Sequence, residues 1–309
     1  MYLNHFQLKA APFSITPDPE FTYGSRAQLE AFNTLLLAID DGEGFIKITG
    51  EVGTGKTLAC RRFLAALACR SSSNCAGFDT AYIPNPQMTP RTLLLAVARE
   101  LRLALRPDAP EHEILSELNR AVLKSARNGR RVVVCLDEAQ AMPIDTMEAL
   151  RLLSNLETEK SKLVQVVLFG QPELDTRLAR RELRQLASRI SFQYRLGALS
   201  PDETERYLAH RLRVAGFLGD ALFPPPVARA LHRVTRGVPR LINIVAHKTL
   251  LLAYGEGALR ASPRHVKAAA ADTPYASHLG LLSRWFAALV SRPAHDNDDA
   301  RAQRRTAGA

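Results

Sequence analysis

"GFIKITGEVGTGKTLACRRFL", residues 44–64, sets the pattern G-x-x-x-x-G-K-T between a short apolar run and a longer helical one. The run "GFIKITG" (44–50) has the length and composition of a buried strand, and residues 56–69 read as a helix. A strand, a glycine loop and a helix start in that order turn a row of main-chain N–H groups toward one point, where an anionic oxygen is favoured. Gly50, Gly53 and Gly55 let the backbone curl without Cβ clashes, and Glu51, Val52, Thr54 and Leu58 lend main-chain groups to the same cradle. Lys56 is placed to neutralise β- and γ-phosphate oxygens, and Thr57 offers a hydroxyl to Mg²⁺. The expected ligand is a nucleoside triphosphate, ATP before others.

Outward from this loop, apolar runs alternate with helical patterns, which implies an α/β fold: a parallel sheet flanked by helices. Strands are expected at 44–50, 80–84, 131–138, 163–170 and 191–197, and helices at 56–69, 90–104, 112–127, 144–157 and 173–189. A metal held by Thr57 needs a carboxylate at the end of a neighbouring buried strand, and "VVVCLDE" supplies Asp137. Glu138, one residue further along the same sheet edge, is the natural group to polarise an attacking water. In "LFGQPEL", Gln171 either reaches the γ-phosphate or the water, or serves only a Gln-Pro turn. After residue 200 the strand signals stop, and helices are expected at 201–215, 226–235, 239–255 and 262–271.

The formal charge of +10 is unevenly spread: residues 176–240 hold thirteen Arg, no Lys and five acids. Such a stretch suits phosphate or nucleic acid, although 33 Arg against 8 Lys over the whole chain points to a compositional bias. Cys60, Cys69, Cys75 and Cys135 form no CxxC pair and have no His at zinc spacing, so they read as reduced thiols. The N-terminal residues lack the pattern of a signal peptide, and a cytoplasmic location, peripheral at the inner membrane, is expected. "HLGLLSRWFAALV" (278–290) carries Leu279, Leu282, Trp285, Phe286 and Leu289 on one helical face. Membrane-surface contact, a partner groove and packing against the helical part remain open for it.

Several long stretches together resemble one group of proteins. They are "MYLNHFQLKAAPFSITPDPEFTYGS", the glycine-loop segment, "VVVCLDEAQAMPIDTMEALRLLSNLET", "VVLFGQPELDTRL", "LRQLASRI" and "GVPRLINIVAHKTLLLAYGEG". The group is the AAA+ ATPases of the ExeA or general secretion pathway protein A type, and within it the MshM proteins of pilus biogenesis. The resemblance implies a P-loop NTPase core (ASCE) with a five-stranded parallel sheet and a small all-α lid, with nucleotide between them. It also implies ATP hydrolysis, and assembly into a homo-oligomer, ring or dimer, beside pilus or secretion-machine proteins of the inner membrane. The implied division is a linker and first helix over 1–40, an ATPase core over 41–199, a lid over 200–272 and a tail over 273–309.

Carried over residue by residue, Gly50 to Thr57 become the Walker A loop, Asp137 and Glu138 the Walker B pair, and Gln171 sensor 1. Arg189, with Arg184 as its rival, resembles an arginine finger acting in a neighbouring subunit. Phe13, with Ile15 and Pro17, is expected over the adenine. In "GVPR", Gly237 and Pro239 start a lid helix whose Arg240 is placed to sense the γ-phosphate. The membrane span and peptidoglycan-binding region that follow the lid in the secretion-type members have no counterpart in this sequence, so peptidoglycan binding is not carried over. Two other readings stay open: a DNA-associated ATPase of the transposition-helper type, and a slow nucleotide switch.

Overall fold

The computed structural model describes residues 2–15, 21–72, 77–154, 157–158 and 161–273. After a short helix α1 (Tyr2–His5), the chain forms α2 (Arg26–Asp40), β1 (Phe45–Gly50), α3 (Lys56–Ser72), β2 (Phe78–Ile83), α4 (Pro90–Glu100) and α5 (Glu111–Arg127). Next come β3 (Arg131–Leu136), α6 (Ile144–Ser154), a small antiparallel pair β4 (Glu157–Thr158) and β5 (Ser161–Lys162), and β6 (Val164–Gly170). Helices α7 (Glu173–Leu178) and α8 (Arg184–Ala187) lead to β7 (Ile190–Leu196). Helices α9 (Pro201–Val214), α10 (Pro225–Thr235), α11 (Pro239–Gly255) and α12 (Pro263–Ala271) complete the described fold.

The main sheet runs β2-β3-β6-β1-β7, and its strands are parallel. The order follows from burial. β1 and β6 are buried along their whole length, as strands covered on both faces must be, whereas β7 alternates half-buried and exposed residues at the sheet's edge. One face packs Leu93, Leu94, Ile114, Leu118, Leu150 and Leu174 of the helices against Val132, Val134 and Val166. The other packs Leu35 and Ile39 of α2 and Phe63 and Leu67 of α3 against Ile46, Ile48 and Val167. Each such buried side chain contributes about 1.5–3 kcal/mol of transfer free energy. The one charge inside β1, Lys47, is 9% exposed and donates to Asp175 of α7 at 2.5 Å.

A third cluster belongs to the lid helices, and the N-terminal segment joins it rather than the sheet: Phe6, Leu8, Phe13 and Phe21 pack with Tyr207, Leu231, Val245 and Leu250. The lid helices start where local chemistry satisfies their free N–H groups. Ser200 with Glu203 and Ser262 with His265 form capping boxes, and Pro201, Pro225, Pro239 and Pro263 occupy first-turn positions.

Three helix expectations need correction. The helix expected over 173–189 is broken, because Arg180 is extended and a 3-10 turn (Arg181–Leu183) intervenes between α7 and α8. Of the helix expected over 144–157, α6 spans Ile144–Ser154, and Glu157 and Thr158 belong to strand β4. The helix expected over 90–104 ends at Glu100, with Arg102 left-handed at φ 60°. The 278–290 segment and Cys75 lie outside the described residues.

Candidate functional site

Because the strands are parallel, their C-terminal ends share one edge, where the register sets Thr49 beside Gly170 and Leu136 beside Leu168. Gly50, Asp137 and Gln171 therefore leave the sheet as neighbours. Gly53 and Gly55 have φ of +84° and +96°, left-handed conformations that open the loop's N–H groups toward the start of α3. Lys56 is 5% exposed and its Nζ donates to the carbonyl oxygens of Gly50 at 2.8 Å and Glu51 at 3.0 Å. Burial pushes its pKa down, while Glu138 and Asp137 pull it back up. Thr54 closes the loop by donating to the Glu51 carbonyl at 2.8 Å.

Asp137 is 2% exposed, and burial raises its pKa against the hydrogen bonds from Thr57 and from the Glu138 N–H, the latter 3.0 Å long. Glu138 sits in the left-handed region at φ 53°. Its Oε2 accepts hydrogen bonds from Gln140 Nε2 at 2.5 Å and from Gln171 Nε2 at 3.1 Å. Burial acts to raise the Glu138 pKa, but these two bonds and the charge of Lys56 outweigh it and leave the group lowered.

A cavity of about 370 Å³ lies between the sheet edge and the lid, lined by Gly53, Gly55, Lys56, Thr57, Glu138 and Gln171 on one side. Tyr207, Arg211, Pro239, Arg240 and Asn243 line it from the lid, and Ser14, Ile15, Phe21 and Tyr23 from the N-terminal segment. Arg240 is exposed, yet its main-chain N–H donates to the Gly53 carbonyl at 3.2 Å. A Cβ at Gly53 would lie 2.5 Å from that of Arg240, so only glycine lets lid and loop meet there. Val52 and Leu58 also line the cavity. Glu51 reaches outward instead, 3.9 Å from Arg195.

Phe13 is corrected. It is 2% exposed and stacks edge-on against Phe223 at 5.6 Å inside the lid core, where burying a large ring favours it, so its side chain does not line the cavity. Its neighbours Ser14 and Ile15 do, and Pro17 lies outside the described residues. Neither Arg184, which is exposed, nor Arg189, which is half-exposed, lines the cavity.

Sequence reasoning missed Gln28 of α2, which lines the cavity, Gln140 and the group around Arg211. Arg211 is 6% exposed and donates to the carbonyl of Pro12 at 2.6 Å, with longer bonds to Phe21 and Ser14, and its guanidinium lies 4.7 Å from the Phe21 ring. Tyr207 donates to Asn243 at 2.8 Å, and Asn243 donates to the Ser14 carbonyl at 3.3 Å. In the sequence Arg211 is one arginine among many, so nothing there marks it as buried. The Gln140 signal was available, two residues beyond Glu138.

A phosphate loop on a parallel sheet with this strand order, opposite a helical lid, is the arrangement of a P-loop ATPase of the AAA class. The family described as "AAA domain" matches residues 39–178. The "General secretion pathway protein A" of Aeromonas hydrophila is 41% identical over 257 residues, which are 83% of this chain and 46% of that protein. The chain is an AAA ATPase similar to the general secretion pathway protein A type, and spans less than half the length of that relative.

Solved structures share the fold. The Aeropyrum pernix ORC2 protein, in "ADPNP-ADP complexes", superposes with a TM-score of 0.62 at 18% identity, over 86% of this chain and 72% of that one. The "Drosophila ORC bound to DNA" gives 0.64 at 18% identity, over 86% and 65%. A "walker-type atpase" of Pyrococcus abyssi gives 0.55 at 14% identity, over 88% and 79%. Among the described residues no helix is long and apolar enough to cross a membrane.

Proposed function

We propose that the protein hydrolyses ATP with Mg²⁺ in the cavity between residues 41–199, acting as core, and 200–272, acting as lid, and that lid motion serves the assembly of a secretion or type IV-like pilus machine. The observation that carries the reading is the shared cavity: Lys56, Thr57, Glu138, Gln171 and Arg240 line one space. Lys56 and the first N–H groups of α3 hold the β- and γ-phosphates. The Thr57 hydroxyl and the Asp137 carboxylate, hydrogen-bonded to each other, are hard oxygen donors of the kind Mg²⁺ prefers. Burial penalises the Asp137 charge, which a divalent cation would relieve, so the pair fits the ion. When bound, Mg²⁺ supplies charge neutralisation at the phosphates. Glu138 accepts the proton of the attacking water, Gln171 orients that water or the γ-phosphate, and Arg240 reads the γ-phosphate from the lid.

On this reading the protein works as a homo-oligomer, with Arg189 or Arg184 completing a neighbour's site and with inner-membrane proteins as its partners. Support for the machine comes from the 41% identity to the Aeromonas relative. A second reading is DNA association, favoured by exposed Arg180, Arg181, Arg184 and Arg195 on one stretch. It requires ATP hydrolysis to rise with DNA and that rise to fade steeply with salt.

The deciding experiment is the turnover of Glu138→Gln beside the parent. The variant is expected to keep ATP binding and lose hydrolysis by about 10²-fold or more. Normal turnover in the variant removes Glu138 from its role, and equally negligible rates in both proteins support a nucleotide switch instead.

A further inference from the structure

Glu138 does not hold itself. Its backbone is left-handed, a conformation in which a non-glycine residue is kept by its surroundings, and a carboxylate on a flexible side chain samples several rotamers unless bound. Two amides bind it, and both donate to the same oxygen, Oε2. Oε1 is the oxygen that neither amide uses.

The two amides differ. Gln171 has a competing task, since it lines the cavity where the γ-phosphate is expected. Gln140 is committed at both ends: Nε2 donates to Glu138 at 2.5 Å, and Oε1 accepts the main-chain N–H of Gln171 at 2.9 Å. Its own backbone is anchored as well. Arg177 of α7 donates to the Gln140 carbonyl at 2.7 Å and also to the Met142 carbonyl. Gln140 thus fastens the carboxylate to the end of β6 and, through Arg177, to the helix leading into the arginine-rich 180–189 segment.

We propose that Gln140 is the positioning residue for Glu138, holding Oε2 so that Oε1 meets the attacking water while Gln171 is free to engage the phosphate. The proposal rests on Glu138 being the hydrolytic carboxylate. A positioning role of this kind acts on the chemical step and leaves ground-state binding alone.

The test uses the full chain and three variants: Gln140→Met, similar in size but without the donor, Gln140→Glu, which keeps an acceptor for the Gln171 N–H, and Glu138→Gln. In both Gln140 variants kcat for ATP is expected to fall about thirtyfold, with KM and the ATP Kd within about twofold of the parent. A kcat within about threefold of the parent in either Gln140 variant, while Glu138→Gln is inactive, overturns the role of Gln140 alone. A loss of ATP affinity matching the loss of kcat also overturns it, because the residue would then be structural. Normal turnover in Glu138→Gln overturns the underlying reading of Glu138, and with it this one.

Discussion

The two cations that line the cavity from opposite walls, Lys56 and Arg240, are held in opposite ways. On the sheet side Lys56 sits among buried neighbours: Thr54, Lys56 and Asp137 are 3%, 5% and 2% exposed, and their hydrogen-bond partners lie within the loop or at the strand ends. On the lid side Arg240 is exposed, and its tie to the phosphate loop is one main-chain hydrogen bond to Gly53. Burial in a packed sheet fixes atoms before a ligand arrives, whereas an exposed side chain on a separately packed cluster takes its position from what it meets. The contrast assigns affinity to the sheet and, on the function proposed above, response to the lid.

The sharpest way to break this contrast is Lys56→Ala. It removes the buried cation from the sheet wall and is expected to weaken ATP binding by about 10²-fold or more, measured by titration with a fluorescent nucleotide. Binding that survives intact would mean that the lid, not the sheet, supplies affinity.

Gly237→Ala attacks the joint between the walls. Gly237 has φ +74°, its carbonyl accepts the Leu199 N–H at 2.9 Å, and an added Cβ would lie 2.0 Å from the Leu199 carbonyl oxygen. Unfolding in denaturant is expected to show a loss of about 3 kcal/mol. A loss under about 1 kcal/mol would mean that the joint between sheet and lid yields more easily than its geometry implies.

The smallest expected effect is that of Arg240→Ala. It should lower kcat by about tenfold with ADP affinity unchanged, since ADP lacks the phosphate that Arg240 reads. A matching loss of ADP affinity would make the lid wall a binding surface like the other.

The glycine loop, the mainly apolar strands and the acidic strand end were legible because local rules and burial agree there: every residue of β1 and β6 is buried, even the polar Lys47, Thr49 and Gln165 among their apolar neighbours. The break in 173–189 also left a trace. Leu174, Leu178, Leu183 and Leu186 are all buried, but the five-residue step from Leu178 to Leu183 does not fit one helical face. Phe13 was readable as apolar but not as belonging to the lid core, since periodicity says that a side chain is buried and not against what. Arg211 was the least legible. Its partners are carbonyl groups almost two hundred residues away in the chain, and carbonyls leave no mark in a sequence.

That buried arginine has a mechanical meaning. Because Arg211 of α9 grips the Pro12, Ser14 and Phe21 carbonyls, the described parts of the N-terminal segment are fastened to the lid helices. On the function proposed above, this segment rides with the lid as a single jaw, so the swing of that jaw uncovers the base side and the phosphate side of the nucleotide in one stroke.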